Sequence, residues 1–140
     1  MYQVGIDTIN NHPRLKITLL SYLFPDHLDA RILGLPNINS IYKSGAQLGR
    51  LYQDLLGNEG NNYMNLEQQV KYKFIISLDG HGSSWSRPES ILFSNSLLLY
   101  QTEYVQWFQT ALQAYKHYLP VKYDLSNLIE NINWAKAHSV

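Results

Sequence analysis

Residues 79–90, DGHGSSWSRPES, bring glycines, serine hydroxyls, a tryptophan and an arginine into one short stretch. Small residues let backbone approach a ligand closely, hydroxyls donate hydrogen bonds, and a guanidinium offers a planar fork matched to phosphate oxygens. The chemistry open to such a set is to hold an anion. Gly80 and Gly82 would admit it, Ser83, Ser84 and Ser86 would donate to it, and Arg87 would neutralise it; Trp85 lies among them. Directly before stands Lys73–Leu78, KFIISL, which reads as a buried strand; directly after, RPESILFSN reads as a helix with Pro88 at its first position. A loop between strand and helix is where doubly wound folds bind phosphates, because unpaired N–H groups and the helix dipole favour negative charge there. The same residues also make an ordinary turn with Arg87 solvated. Residue types alone do not separate the two.

Other chemistries have less to stand on. The stretch matches neither GxxxxGK[ST] nor GxGxxG, so neither a P-loop nor a dinucleotide fingerprint is met. His12, His27, His81, His117 and His138 lack HExxH or paired zinc spacing, and only His81 lies in the loop. No cysteine exists to act as nucleophile, metal ligand or disulfide partner. GxSxG is absent, and no His/Asp partner can be assigned to the serines. The 11 tyrosines would suit stacking on sugars or bases, but packing is their ordinary use.

The elements that must position this loop follow from periodicity. From Pro13, PRLKITLLSYLF spaces Leu15, Leu19 and Tyr22 as on a helix face, and a proline in the first turn favours the helix. A turn and a short strand around Ala30–Leu33 are expected next, then loop and a weakly helical 45–56. Residues 65–73 have helical propensity with Asn65 as N-cap. The run 73–78, apolar on both faces, suits a central parallel strand, and 96–101, SLLLYQ, a second one. Tyr104, Trp107, Phe108, Ala111, Leu112 and Tyr115 are spaced as one apolar helix face, which would put Trp107 and Phe108 in the core. A strand at 117–122 with Pro120 suits an edge, and a closing helix over 124–138 would bury Leu125, Leu128, Ile129 and Ile132 with Asp124 or Ser126 as cap. Alternating strands and helices predict an α/β fold with a parallel sheet.

Composition agrees with a single globular domain. The chain has 140 residues, 45% hydrophobic and 16% charged, enough to bury a core. Eleven basic side chains balance eleven acidic ones, so nothing argues for nonspecific nucleic-acid binding. The polar opening, residues 1–12, reads as a loop without the pattern of a signal peptide, and no apolar run is long enough to span a bilayer. A soluble, cytoplasmic protein is expected.

The order of segments carries more than any one of them. KYKFIISLDGHGSSWSR, LFSNSLLLYQ, QWF and HYLPVKYDLSNL, preceded by RLKITLLSYLFPDHLDA, resemble glycosyltransferase family 90, the lipopolysaccharide-modifying and protein O-glucosyltransferase family. The resemblance covers roughly residues 13–137, and its wording is similar to the bacterial branch. It implies a Rossmann-like parallel sheet with helices on both faces, the donor-binding half of a two-domain GT-B type enzyme, spanning 13–140. It also implies an inverting transfer from a UDP-sugar without a divalent metal or other cofactor, with which the missing DxD agrees. Carried over, Ser84, Trp85, Ser86 and Arg87 match the loop that holds the nucleotide diphosphate, and Arg14 matches an arginine facing the nucleotide. Asp29 and Ala30 would lie on a strand near uracil or ribose. The acceptor, a lipopolysaccharide or other surface glycan, and the general-base aspartate belong in the family to an N-terminal domain, expected to be absent here. A non-catalytic UDP-sugar-binding module or inactive remnant is the alternative. Membrane association at the inner face and self-association through an exposed apolar surface are the accompanying expectations.

Overall fold

The computed structural model describes residues 12–31, 63–80 and 82–138. The chain divides into two units, Met1–Tyr63 and Met64–Val140. In the first, helix α1 spans Pro13–Leu23 and starts, as expected, with proline at the first turn, where a missing N–H costs nothing. Pro13, Ile17 and Thr18 are its buried residues, and the Thr18 hydroxyl donates to the Arg14 carbonyl at 3.0 Å. Past the helix, Ser21 holds the returning chain: its hydroxyl donates to the Leu28 carbonyl at 3.0 Å and accepts the Ala30 N–H at 2.9 Å. Asp29 pairs with Arg31 on the surface. Ala30 and Arg31 are not in a strand, so the strand expected there is not found in its described part; 32–33 and the helix expected over 45–56 lie outside the described residues.

The second unit is a three-stranded parallel sheet in the order β1-β2-β3, with β1 at Phe74–Leu78, β2 at Leu97–Gln101 and β3 at Tyr118–Pro120. A one-turn helix α2, Leu66–Gln69, leads in through a capping box between Asn65 and Gln68. Helix α3, Arg87–Leu92, joins β1 to β2, and helix α4, Leu128–His138, closes the unit. On one face Ile75, Leu98 and Tyr100 form a core cluster with Ile91 of α3, flanked by Leu92 and Tyr118. On the other, Phe74 and Leu97 meet Trp134 and Ala135 of α4 around an open groove of about 270 Å³. α3 packs on one face and α4 borders the groove on the other. That groove lies at the amino-terminal ends of β1 and β2, away from the 79–90 loop.

Three expectations are corrected. Strand β2, rather than β1, is central among the described residues: Leu98, Leu99, Tyr100 and Gln101 are all buried, while β1 alternates half-buried and buried positions. The helix expected over 104–115 is a single 3-10 turn, Gln109–Ala111. The Gln113 N–H, which a helix would give to the Gln109 carbonyl, goes to His117 Nδ1 instead, and the Leu112 N–H takes that carbonyl in a tighter bond three residues back. Trp107 is accordingly 86% exposed rather than core. Finally, α4 begins at Leu128; Asp124 Oδ1 accepts the Ser126 N–H in a turn ahead of it, and Leu125 is buried in left-handed backbone with φ 57°.

At β3 the edge expectation holds. Val121 N–H continues the ladder to the Tyr100 carbonyl at 2.8 Å, so by alternation the Pro120 nitrogen faces away from β2, on the side that pairs with no strand among the described residues, and its missing N–H costs no ladder bond. The Pro120 carbonyl accepts from the side-chain amides of both Asn127 and Asn131, tying α4 to the strand.

Tyr100 gives the core a pH-dependent member. It is buried against Tyr118, edge to ring at 5.8 Å between centroids, and its hydroxyl bonds Gln106 and Gln109. Burial pushes its phenol above the ordinary 10.0. A raised pKa in the fold means stability present below pH 10 that is lost as the pH climbs through the folded value. Tyr100→Phe is expected to cost about 1 kcal/mol at pH 7 through its hydrogen bonds. The gap to wild type should narrow above pH 10 in urea unfolding monitored by fluorescence; a constant gap would show that the phenol titrates alike in the folded and unfolded chain.

Candidate functional site

The carboxyl ends of parallel strands converge on one edge, and in this unit the 79–90 loop leaves from that edge at the end of β1. Polar side chains stitch the edge together. Asp79, buried, accepts the Glu103 N–H through Oδ2 at 2.7 Å, while its own N–H donates to Gln101 Oε1 at 3.1 Å. The first residue after β1 is thus bound to the last residue of β2 and to the chain just beyond it.

The loop folds back on its strand. Ser84 Oγ donates to the Leu78 carbonyl at 2.7 Å, which commits its hydroxyl proton and leaves its lone pairs outward. Gly80 N–H donates to the Gly82 carbonyl at 3.1 Å, so this amide serves the loop itself. Gly82 is half-buried, and a Cβ built there would meet nothing within 4 Å. No clash inside this unit requires glycine at that position; the space beside it is open. Ser83 is half-buried, Trp85 is 88% exposed and Ser86 lies on the surface, its carbonyl accepting from the Ser90 N–H and hydroxyl. Arg87 is exposed, with Nη2 at 3.4 Å from the Ile76 carbonyl. Arg14 belongs to the other unit, exposed on α1. His81 lies outside the described residues.

The end of α3 is a weaker anion site than residue types suggest. The helix has six residues, Pro88 offers no N–H, and Glu89 already places a carboxylate in the first turn. The Ser86 side chain makes no capping bond. What the loop offers an anion is therefore Arg87 and hydroxyls, with little help from the dipole. Across the edge, the stretch after β2 presents Val105 and Trp107, 89% and 86% exposed, with Trp107 edge-on to Phe108. Among the described residues no three His, Cys, Asp or Glu side chains are grouped to share a metal ion, and no helix is long and apolar enough to cross a membrane.

Asp79 and Gln101 are the residues that reading for chemistry passed over. Each is a polar residue ending an apolar run, FIISL-D and LLLY-Q. In a parallel sheet such endings fall on the ligand-facing edge, and that was the available signal.

A sequence model of the family described as Glycosyl transferase family 90 matches residues 13–140. Protein O-glucosyltransferase 3 of Mus musculus is 31% identical over 123 residues, covering 88% of this chain and 22% of that protein. Uncharacterized protein 035R of Invertebrate iridescent virus 3 is 30% identical over 131 residues, covering 91% of this chain and 12% of its own length. Human Protein O-glucosyltransferase 1 is 28% identical over 92 residues, 66% of this chain and 24% of that protein. The chain thus spans less than a quarter of the length of these relatives.

The loop's internal contacts can be separated from its surface. Ser84→Ala leaves the Leu78 carbonyl without its donor and is expected to cost about 1 kcal/mol in urea unfolding. Gly82→Ala, with open space and no left-handed backbone to violate, should change stability by no more than about 0.5 kcal/mol. A large loss in Gly82→Ala would mean that the space beside it is filled in solution.

Proposed function

The chain belongs to glycosyl transferase family 90, and from that premise we propose that this stretch is the donor-binding half of a GT-B type enzyme that transfers a sugar from a UDP-sugar. The Ser83–Arg87 loop is where the diphosphate would rest. In an inverting transfer an acceptor hydroxyl attacks the anomeric carbon from the face opposite the nucleotide. The bond from that carbon to the β-phosphate oxygen breaks, and UDP departs with the electron pair. Charge develops on the departing phosphate, so a fixed cation beside it stabilises the transition state more than the ground state. Arg87 takes that role, and Ser83 and Ser86 donate to phosphate oxygens. Without a divalent metal, these side chains carry the charge neutralisation.

What supports the reading most is one juxtaposition: a Gly/Ser loop with an arginine, leaving the carboxyl end of a parallel strand, in a chain that matches the family over 13–140. The open space beside Gly82 agrees with close approach of a ligand. The base that deprotonates the acceptor is assigned to another stretch of the whole protein. For the acceptor we favour a lipopolysaccharide or other surface glycan of the bacterial branch, built by a cytoplasmic enzyme at the inner face of a membrane. A protein hydroxyl is the second reading, favoured by the 31% identity to a protein O-glucosyltransferase along 88% of the chain.

Calorimetric titration of UDP without divalent metal tests the donor assignment. Binding by the wild type is expected, with affinity about 10- to 100-fold lower in Arg87→Ala, the range of one or two charge-assisted hydrogen bonds. Equal binding by both proteins would remove Arg87 from the site.

A further inference from the structure

Gln101 is 1% exposed and ends β2 opposite Leu78 of β1. Its Oε1 accepts the Asp79 N–H, and that bond fixes which end of the amide is oxygen. Its Nε2 is buried with no hydrogen-bond partner. A buried donor left unsatisfied destabilises a fold, so packing alone would be served better by an apolar residue of similar length. The polarity has a different use. Asp79 is where the chain leaves β1, and its carboxylate in turn accepts the Glu103 N–H. Gln101 therefore anchors one end of a bracket that sets the direction in which the 79–87 stretch departs from the sheet.

We propose that Gln101 is a positioning residue for the donor loop, acting through the Asp79 N–H to place Ser84 and Arg87 at the carboxyl edge. This rests on the UDP reading for its ligand, while the geometry it describes is a property of the fold. A site that keeps an unsatisfied buried amide to hold its loop exchanges some stability for placement.

The test is Gln101→Met, with Gln101→Leu in reserve should the methionine variant not fold. Replacing Gln removes the orphan donor and also strips the Asp79 N–H of its acceptor, so the two changes offset. Tm is expected to stay within about 5 °C of wild type. Amide exchange should accelerate at Asp79 and through 82–87 while the β2 and α4 amides stay protected. UDP affinity should fall about tenfold, the loss equivalent to one hydrogen bond. Combined with Arg87→Ala, the second change should add little, because both act through the same guanidinium.

Unchanged UDP affinity, or effects that add fully in the double variant, would overturn the proposal. A large drop in Tm with exchange accelerated everywhere would assign Gln101 a merely structural role and also overturn it. If wild type binds no UDP, the donor reading fails; exchange then decides separately, with acceleration confined to the loop supporting the bracket and unchanged loop exchange refuting it.

Discussion

A parallel sheet releases every one of its strands at the same edge, and the polar groups exposed there must be satisfied by the protein or by something bound to it. In the Met64–Val140 unit this is done with side chains. Gln101 takes the Asp79 N–H, Asp79 takes the Glu103 N–H, Ser84 takes the Leu78 carbonyl, and Asn127 and Asn131 share that of Pro120. These contacts join sequence positions that lie more than twenty residues apart as well as near neighbours. The loops at the edge are consequently tied to the sheet as well as to themselves.

Affinity for water-hating surroundings and placement of polar groups divide the work between them. Ile75, Ile91, Leu98 and Tyr100 bury a continuous apolar cluster between sheet and α3. Each such side chain contributes about 1.5–3 kcal/mol by burial, so the cluster outweighs any single hydrogen bond at the edge, worth about 1 kcal/mol net. The edge network does not hold the unit folded. It decides where the loops point once the cluster has formed, a task that nondirectional burial cannot perform.

Legibility in the sequence followed this division. The strands FIISL and LLLYQ could be read because apolar runs of that length have few other uses, and α1 and the Asn65 cap because proline and asparagine act locally. The helix over 104–115 was misread although its spacing was regular. Periodicity counts apolar residues but not competing hydrogen bonds, and His117 supplies one by taking the Gln113 N–H. Trp107 and Phe108 were assigned to a core for the same reason. Within the candidate site, Ser84, Trp85, Ser86 and Arg87 stand out by type and by resemblance. Asp79 and Gln101 do not, since what sets them apart is a bond to a partner on or just past the neighbouring strand. Registers between strands are not written in either strand alone.

The electrostatics of the loop carry a consequence for how an anion would be held. A long helix aimed at a phosphate supplies a fixed field from backbone that no side-chain motion can remove. Here α3 is short, lacks the Pro88 N–H and carries Glu89 in its first turn. The favourable charge must therefore come mainly from Arg87, an exposed side chain with several rotatable bonds. Such a cation is useful only if its backbone is held still, since each freedom it retains must be given up on binding. Rigidity of the 79–87 stretch, and hence the Ser84 and Asp79 contacts that tie it to the sheet, becomes part of the binding energy even though neither contact need touch the ligand.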